Sequence, residues 1–160
     1  MNTSIVSLNL PTLPPAVRAR ILVIDDESGI RELLSRELSV QGYSVQTASN
    51  GLEGLETIAR EKFQVVLCDL NMPKMGGKEC LTQIKKDEHL HKIPVIMYTT
   101  SSQSKDIEET MQKGAICFIT EPTNIKELNN ILASIAGSVH NNLEKTLRNL
   151  SNTINTFMVC

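Results

Sequence analysis

Apolar residues recur along this chain in two alternating rhythms. Short continuous runs such as Ile21-Leu22-Val23-Ile24 and Val65-Val66-Leu67-Cys68 alternate with stretches where Leu and Ile return every three or four positions. The first rhythm is that of strands buried on both faces, the second that of helices packed on one side. From Arg20 it predicts a strand at Ile21–Asp25, then a helix with Ile30, Leu33, Leu34 and Leu38 on one face, stopped by Gly42. A strand at Tyr43–Ser49 and a helix carrying Leu52, Leu55, Ile58 and Ala59 follow. A strand at Gln64–Asp69 opens into the loop Leu70–Gly77, and the next helix presents Cys80, Leu81 and Ile84. The strand Pro94–Thr99, a polar loop at Ser101-Ser102, a helix from Gln103 to Lys113 and the strand Ala115–Thr120 come next. A last helix starts near Thr123-Asn124.

Five strand–helix units with short connections make a parallel sheet with helices on both faces, joined by right-handed crossovers. The expected architecture is a doubly wound five-stranded α/β sheet of order 2-1-3-4-5, with ligands outside the carboxyl ends of strands 1 and 3. Asp25 and Asp26 end strand 1 and Asp69 ends strand 3, so the acids fall where the fold rule puts a site.

The two ends of the chain depart from this rhythm. Residues 1–19, with Pro11, Pro14 and Pro15, read as a flexible arm. At the other end Leu128, Leu132, Ile135, Val139, Leu143, Leu147, Leu150, Ile154 and Met158 form one stripe at helical spacing. Gly137 interrupts helix propensity but not the period. The expectation is an extended C-terminal helix whose outer part, past Ser138, pairs with a second copy as a homodimer or docks on a partner. The alternative is a helix that breaks at Gly137 and folds back.

Composition narrows the function classes. The 160 residues suit one domain, 41% hydrophobic and 21% charged. A formal net charge of −2 offers no basic surface for nucleic acid or an anionic membrane. Aromatics at 3%, with no Trp, leave little for stacking bases or sugars. No apolar run reaches the roughly 20 residues of a membrane span, and the N-terminus lacks a secretory pattern, so a cytoplasmic location is expected. Cys68, Cys80, Cys117 and Cys160 form no C-x-x-C pair. With Cys68 and Cys117 inside apolar runs, buried free thiols are expected rather than disulfides or metal ligands.

Carboxylates crowded at strand ends repel one another unless a cation joins them. Their hard oxygens, with no His or Cys alongside, select Mg²⁺. A carboxylate beside such an ion can act as a nucleophile toward phosphorus. A single strand-end Asp can equally be a turn former or helix cap; the doublet together with Asp69 favours the site.

The segments Leu22-Val23-Ile24-Asp25-Asp26-Glu27, Cys68-Asp69-Leu70-Asn71-Met72-Pro73-Lys74-Met75-Gly76-Gly77 and Pro94-Val95-Ile96-Met97-Tyr98-Thr99 carry a family resemblance. Together they resemble the receiver domain of two-component response regulators, chemotaxis regulators included. The likeness runs over residues 20–136, leaving 137–160 as a C-terminal helical extension. It implies a flavodoxin-like fold and a phosphoacceptor, Asp69, fed by a histidine kinase or phosphotransfer protein to switch binding of a downstream protein. It also implies Mg²⁺ held by Asp25, Asp26, Asp69 and the backbone carbonyl of Asn71, and a Thr99 hydroxyl offered to a phosphoryl oxygen. Phe118 matches the family's aromatic switch, and Gly77 the turn beneath the site. From the residues alone, Thr99, Phe118 and Gly77 remain equally readable as strand end, core and helix start, and Tyr98 as packing or signalling.

One position departs from the pattern. Receivers place a lysine before the last strand's proline; here stands Glu121-Pro122. Two unit charges ~4 Å apart interact by about 4 kcal/mol at an effective dielectric of about 20, and Glu121 turns that attraction into repulsion. Lys74 or Lys105 could restore part of the charge, the domain could be a degenerate receiver that binds partners without phosphate, or four acids could hold a cation more tightly. The resemblance further implies a cis Glu121-Pro122 peptide. A phosphatase or phosphotransferase is the rival class, but Leu70-Asn71 after Asp69 lacks the D-x-D pattern. No G-x-x-x-x-G-K-[ST] loop is present for a nucleotide hydrolase. A switch rather than an enzyme is expected.

Overall fold

A computed structural model describes residues 19–122, 124–153 and 158–160. Five strands, β1 (Arg20–Ile24), β2 (Ser44–Ala48), β3 (Val65–Cys68), β4 (Val95–Thr99) and β5 (Cys117–Thr120), alternate with α1 (Ser28–Val40), α2 (Gly51–Arg60), α3 (Gly77–Lys86) and α4 (Ser104–Gln112). Then follow α5 (Ile125–Ser138), α6 (Leu143–Thr153) and a two-residue strand, β6 (Met158–Val159). The sheet order is β2-β1-β3-β4-β5-β6. The first five strands are parallel and β6 is antiparallel to β5. The expected doubly wound order is present, with one strand added at its edge.

Side-chain alternation along the strands builds two cores. Ile21, Val23, Val65, Leu67, Ile96, Tyr98, Cys117 and Ile119 face a layer with Leu34 and Leu38 of α1 and Leu128, Ile131, Leu132 and Ile135 of α5. Leu22, Ile24, Val66, Cys68, Val95, Met97 and Phe118 face the opposite layer with Ile58 of α2 and Cys80, Leu81 and Ile84 of α3. Burial on both faces explains why β1, β3 and β4 read as unbroken apolar runs.

The C-terminal segment corrects three expectations. It is not one extended helix: α5 ends at Ser138, one residue past Gly137, and a turn over residues 139–142 separates it from α6. Asn142 adopts a left-handed backbone, φ 58°, which Asn tolerates better than most residues. Its carbonyl accepts from Thr146 N–H at 2.9 Å to start α6. The chain folds back, so Leu143 and Leu147 bury in the core of α1 and α5, with Val139 and Leu150 packed against it. The apolar stripe is therefore covered within the chain, which removes the reason for pairing tail helices; Ile154 lies outside the described residues.

Second, the sheet has six strands, because Met158 and Val159 pair with Ile119 and Phe118. Ser151 Oγ donates to the Met158 carbonyl at 3.1 Å, tying α6 to that strand. Third, Cys117 and Cys160 form a disulfide, their Cα atoms 4.2 Å apart, while Cys68 and Cys80 are the buried free thiols. The antiparallel pairing brings Cys160 opposite Cys117, a proximity that a separation of 43 residues does not disclose. Of residues 1–19, read as a flexible arm, only Ala19 is described, and it is buried; residues 1–18 lie outside the described residues.

Candidate functional site

The carboxyl ends of β1 and β3 are hydrogen-bonded neighbours, Ile24 opposite Cys68. The chain leaves both strands in acids: Asp25, Asp26 and Asp69 each bring a carboxylate oxygen within 4.8 Å of the others. All ligands are hard oxygens, a donor set that suits Mg²⁺. Backbone groups shape the cluster. Glu27 N–H donates to Asp25 Oδ1 at 2.9 Å and Leu70 N–H to Asp69 Oδ1 at 2.7 Å. Arg31 spends its guanidinium on the Asp25 carbonyl, at 2.7 Å, not on a carboxylate.

Gly77 is required where α3 begins. Its N–H donates to the Leu70 carbonyl at 2.8 Å, and a Cβ there would collide with the Asp69 carbonyl. The loop 70–76 thus folds tightly under Asp69. Asn71 is exposed beside it, and its backbone N–H lies close enough to draw the Asp69 pKa down. Thr99 ends β4, is 3% exposed, and its hydroxyl lies beside the Asp69 carboxylate.

The acids titrate as a crowded group. Burial, then the neighbouring Asp69 and Asp26 charges, push Asp25 up to about 7 against the opposing Glu27 hydrogen bond. Burial raises Asp69 as well, against the pull of Thr99 and the Leu70 N–H. Glu121 is raised by burial, then by the facing carboxylates of Glu27 and Asp69.

Glu121 follows β5, its N–H donating to the Thr99 carbonyl at 2.8 Å, so register holds it across from Asp69. Asp25, Glu27, Asp69 and Glu121 line one small cavity with Ile30, Tyr98, Thr99 and Thr100. Among the described residues, no lysine or arginine lines it. Lys105 is instead paired with Glu109 at 3.8 Å, and the Lys74 charge acts on Glu53, whose pKa it helps to lower. Neither supplies the missing cation. The Glu121-Pro122 peptide is trans, against the expected cis form.

Phe118 is buried in the α2–α3 core layer, not at the site's rim. Sequence reasoning passed over Glu27, Thr100 and Arg31. Only Glu27 left a signal, as the third acid of Asp25-Asp26-Glu27.

The response regulator receiver domain family matches residues 21–133, and the chain belongs to that family, the phosphorylation-responsive arm of two-component signal transduction. It is 37% identical over 106 residues to the transcriptional regulatory protein GlrR of Escherichia coli (strain K12), covering 66% of this chain but 23% of that protein. The chain thus spans under a quarter of that relative's length, and less than half of several others. Among solved structures it is similar to the Vibrio cholerae chemotaxis protein CheY4, with a TM-score of 0.67 and 31% identity over 72% of this chain and 96% of that one. It is also similar to the phosphorylated cyanobacterial phytochrome response regulator RcpA, with a TM-score of 0.69 and 28% identity over 74% and 91% of the two chains.

Proposed function

We propose that Asp69 accepts a phosphoryl group from the phosphohistidine of a histidine kinase or phosphotransfer protein, and that the acyl phosphate switches binding of a downstream protein in the cytoplasm. The observation that carries this reading is the meeting of Asp25, Asp26 and Asp69 oxygens within 4.8 Å at the sheet's switch point. An Asp69 oxygen attacks phosphorus, the P–N bond breaks, and its electron pair stays on the leaving imidazole. Asp25, Asp26, Asp69 and the Asn71 carbonyl would hold Mg²⁺, which supplies positive charge to the incoming phosphoryl oxygens. Thr99 donates its hydroxyl to one of those oxygens. Glu121 opposes the same charge, so the adduct forms more slowly, or lasts less long, than it would with lysine there. One phosphoryl group transfers per chain and no turnover of phosphate esters follows. The phosphorylated state of RcpA supports the reading.

The Glu121 carboxylate facing Asp69 favours one second reading, a receiver that binds partners without phosphate. Incubation with acetyl phosphate and Mg²⁺, followed by intact-mass measurement, separates the two. The proposal expects one phosphoryl adduct on the wild type and none on Asp69→Ala. An adduct confined to Glu121→Lys would establish the second reading instead.

A further inference from the structure

We propose that the Cys117–Cys160 disulfide is a redox latch: oxidised, it holds β6 closed along the outer edge of β5, and reduced, it lets that edge open. The latch is independent of the phosphoryl site and gives the chain a second input.

The bond joins two different parts of the chain. Cys117 begins β5, inside the residues 21–133 that match the receiver family, and Cys160 follows β6, beyond them. Little else holds β6 in place. It is two residues long, Met158 and Val159, paired antiparallel with Ile119 and Phe118. Met158 is buried and its carbonyl accepts from Ser151 Oγ at 3.1 Å, but Val159 is 41% exposed. An edge strand this short, with so few buried contacts, opens locally before the rest of the fold does. The neighbouring α6 differs, because Leu143 and Leu147 fix it in the core without a covalent bond. Opening of β6 leaves backbone groups of Phe118 and Ile119 unpaired on the outer edge of β5, the strand that leads to Glu121.

The two sulfurs are unequally accessible. Cys117 is fully buried and Cys160 only partly so. A thiolate of a dithiol reductant attacks Cys160 Sγ, a mixed disulfide forms, and the Cys117 sulfur leaves and takes up a proton. The reductant's second thiol then attacks the mixed disulfide, becomes a disulfide with its partner, and frees the Cys160 thiol. Two electrons pass to the protein, and oxidised glutathione reverses the sequence. In the cytoplasmic setting proposed above, thiols are kept reduced and a disulfide is typically a transient, redox-sensing bond rather than a permanent staple. Cys68 and Cys80 do not compete for this exchange: both are fully buried in the α2–α3 layer, on the opposite face of the sheet from Cys117.

The test uses the whole chain, with no phosphate donor present, so it stands or falls separately from phosphorylation of Asp69. In a glutathione buffer at the reducing ratio of the cytoplasm, native alkylation and peptide mapping should find the bond open, with label on Cys160 and none on Cys68 or Cys80. Oxidised glutathione should restore the bond and abolish the label. Hydrogen exchange read by mass spectrometry should be about tenfold faster in the reduced chain for peptides covering 117–120 and 158–160, with β1 and β3 unchanged. Cys160→Ser should exchange at the reduced rate in both buffers. The proposal is overturned if the bond survives the reducing buffer, if these peptides exchange equally fast in both states, or if Cys160→Ser still responds to the reductant.

Discussion

Glu121 and Asp69 share one small cavity, a carboxylate at the end of β5 facing the carboxylate at the end of β3. The Asp69 charge helps to hold the Glu121 pKa up, and the phosphoryl transfer proposed for Asp69 would proceed against that repulsion.

Restoring the opposite sign should therefore favour the adduct. Glu121→Lys is expected to raise the steady-state phosphorylation of Asp69 by roughly tenfold, equivalent to about 1.4 kcal/mol. Intact-mass time courses with acetyl phosphate at fixed Mg²⁺ measure it. Equal levels in the two proteins would show that Glu121 swings clear of the phosphoryl group.

Asp25 makes stability depend on pH in a defined direction. Its folded value of about 7 lies above its ordinary value of 3.8, so between them the folded chain holds more protons than the unfolded one. Stability of the metal-free protein should then fall as pH rises through that window and level off above it. The Mg²⁺ ligation proposed for the cluster needs its ionised form, so added Mg²⁺ should raise the melting temperature at about pH 8 but hardly at about pH 4. Melting curves in EDTA and in Mg²⁺ at the two pH values check both halves.

The tail is fastened to the sheet by a covalent bond, the β6 pairing and the burial of α6. Reduction, or Cys160→Ser, removes only the first, at a cost of about 2–4 kcal/mol by loop entropy. For a chain of this length each kcal/mol corresponds to about 2–4 °C of melting temperature. Thermal unfolding with and without reductant measures the shift. An unchanged midpoint would mean that strand pairing and helix burial hold the tail unaided.

Gly77→Ala places a methyl group against the Asp69 carbonyl. Overpacking of this kind costs about 1–3 kcal/mol, and here the displaced backbone carries Asp69, the proposed phosphoacceptor. The variant should lose stability and phosphorylate more slowly, as read by denaturant unfolding and the same mass assay.

Most of the sheet was legible because both-face burial writes itself as continuous apolar runs, as at Val65-Val66-Leu67-Cys68. The acid site was legible because the fold rule and the motifs place Asp25, Asp26 and Asp69 at the same spot. The tail was not. Helical spacing from Leu128 to Met158 is the same whether the helix runs on or doubles back, and the decisive signal was Asn141-Asn142, two residues that favour a turn. Nor does spacing reveal that Cys160 returns to Cys117, because their proximity depends on that reversal. The same reversal buries Leu143 and Leu147, so light scattering should give a monomer's mass; a dimer would have to use another surface. The charge surplus around Glu121 was visible in sequence as one substituted lysine.

The central claim is that Asp69 carries the phosphoryl group despite Glu121. Its most direct test is to treat the wild-type protein with acetyl phosphate and Mg²⁺, reduce the acyl phosphate with borohydride, and map the product by tandem mass spectrometry. The account predicts reduction of Asp69 to homoserine and of no other aspartate. An unmodified Asp69 under conditions that label Glu121→Lys would contradict it.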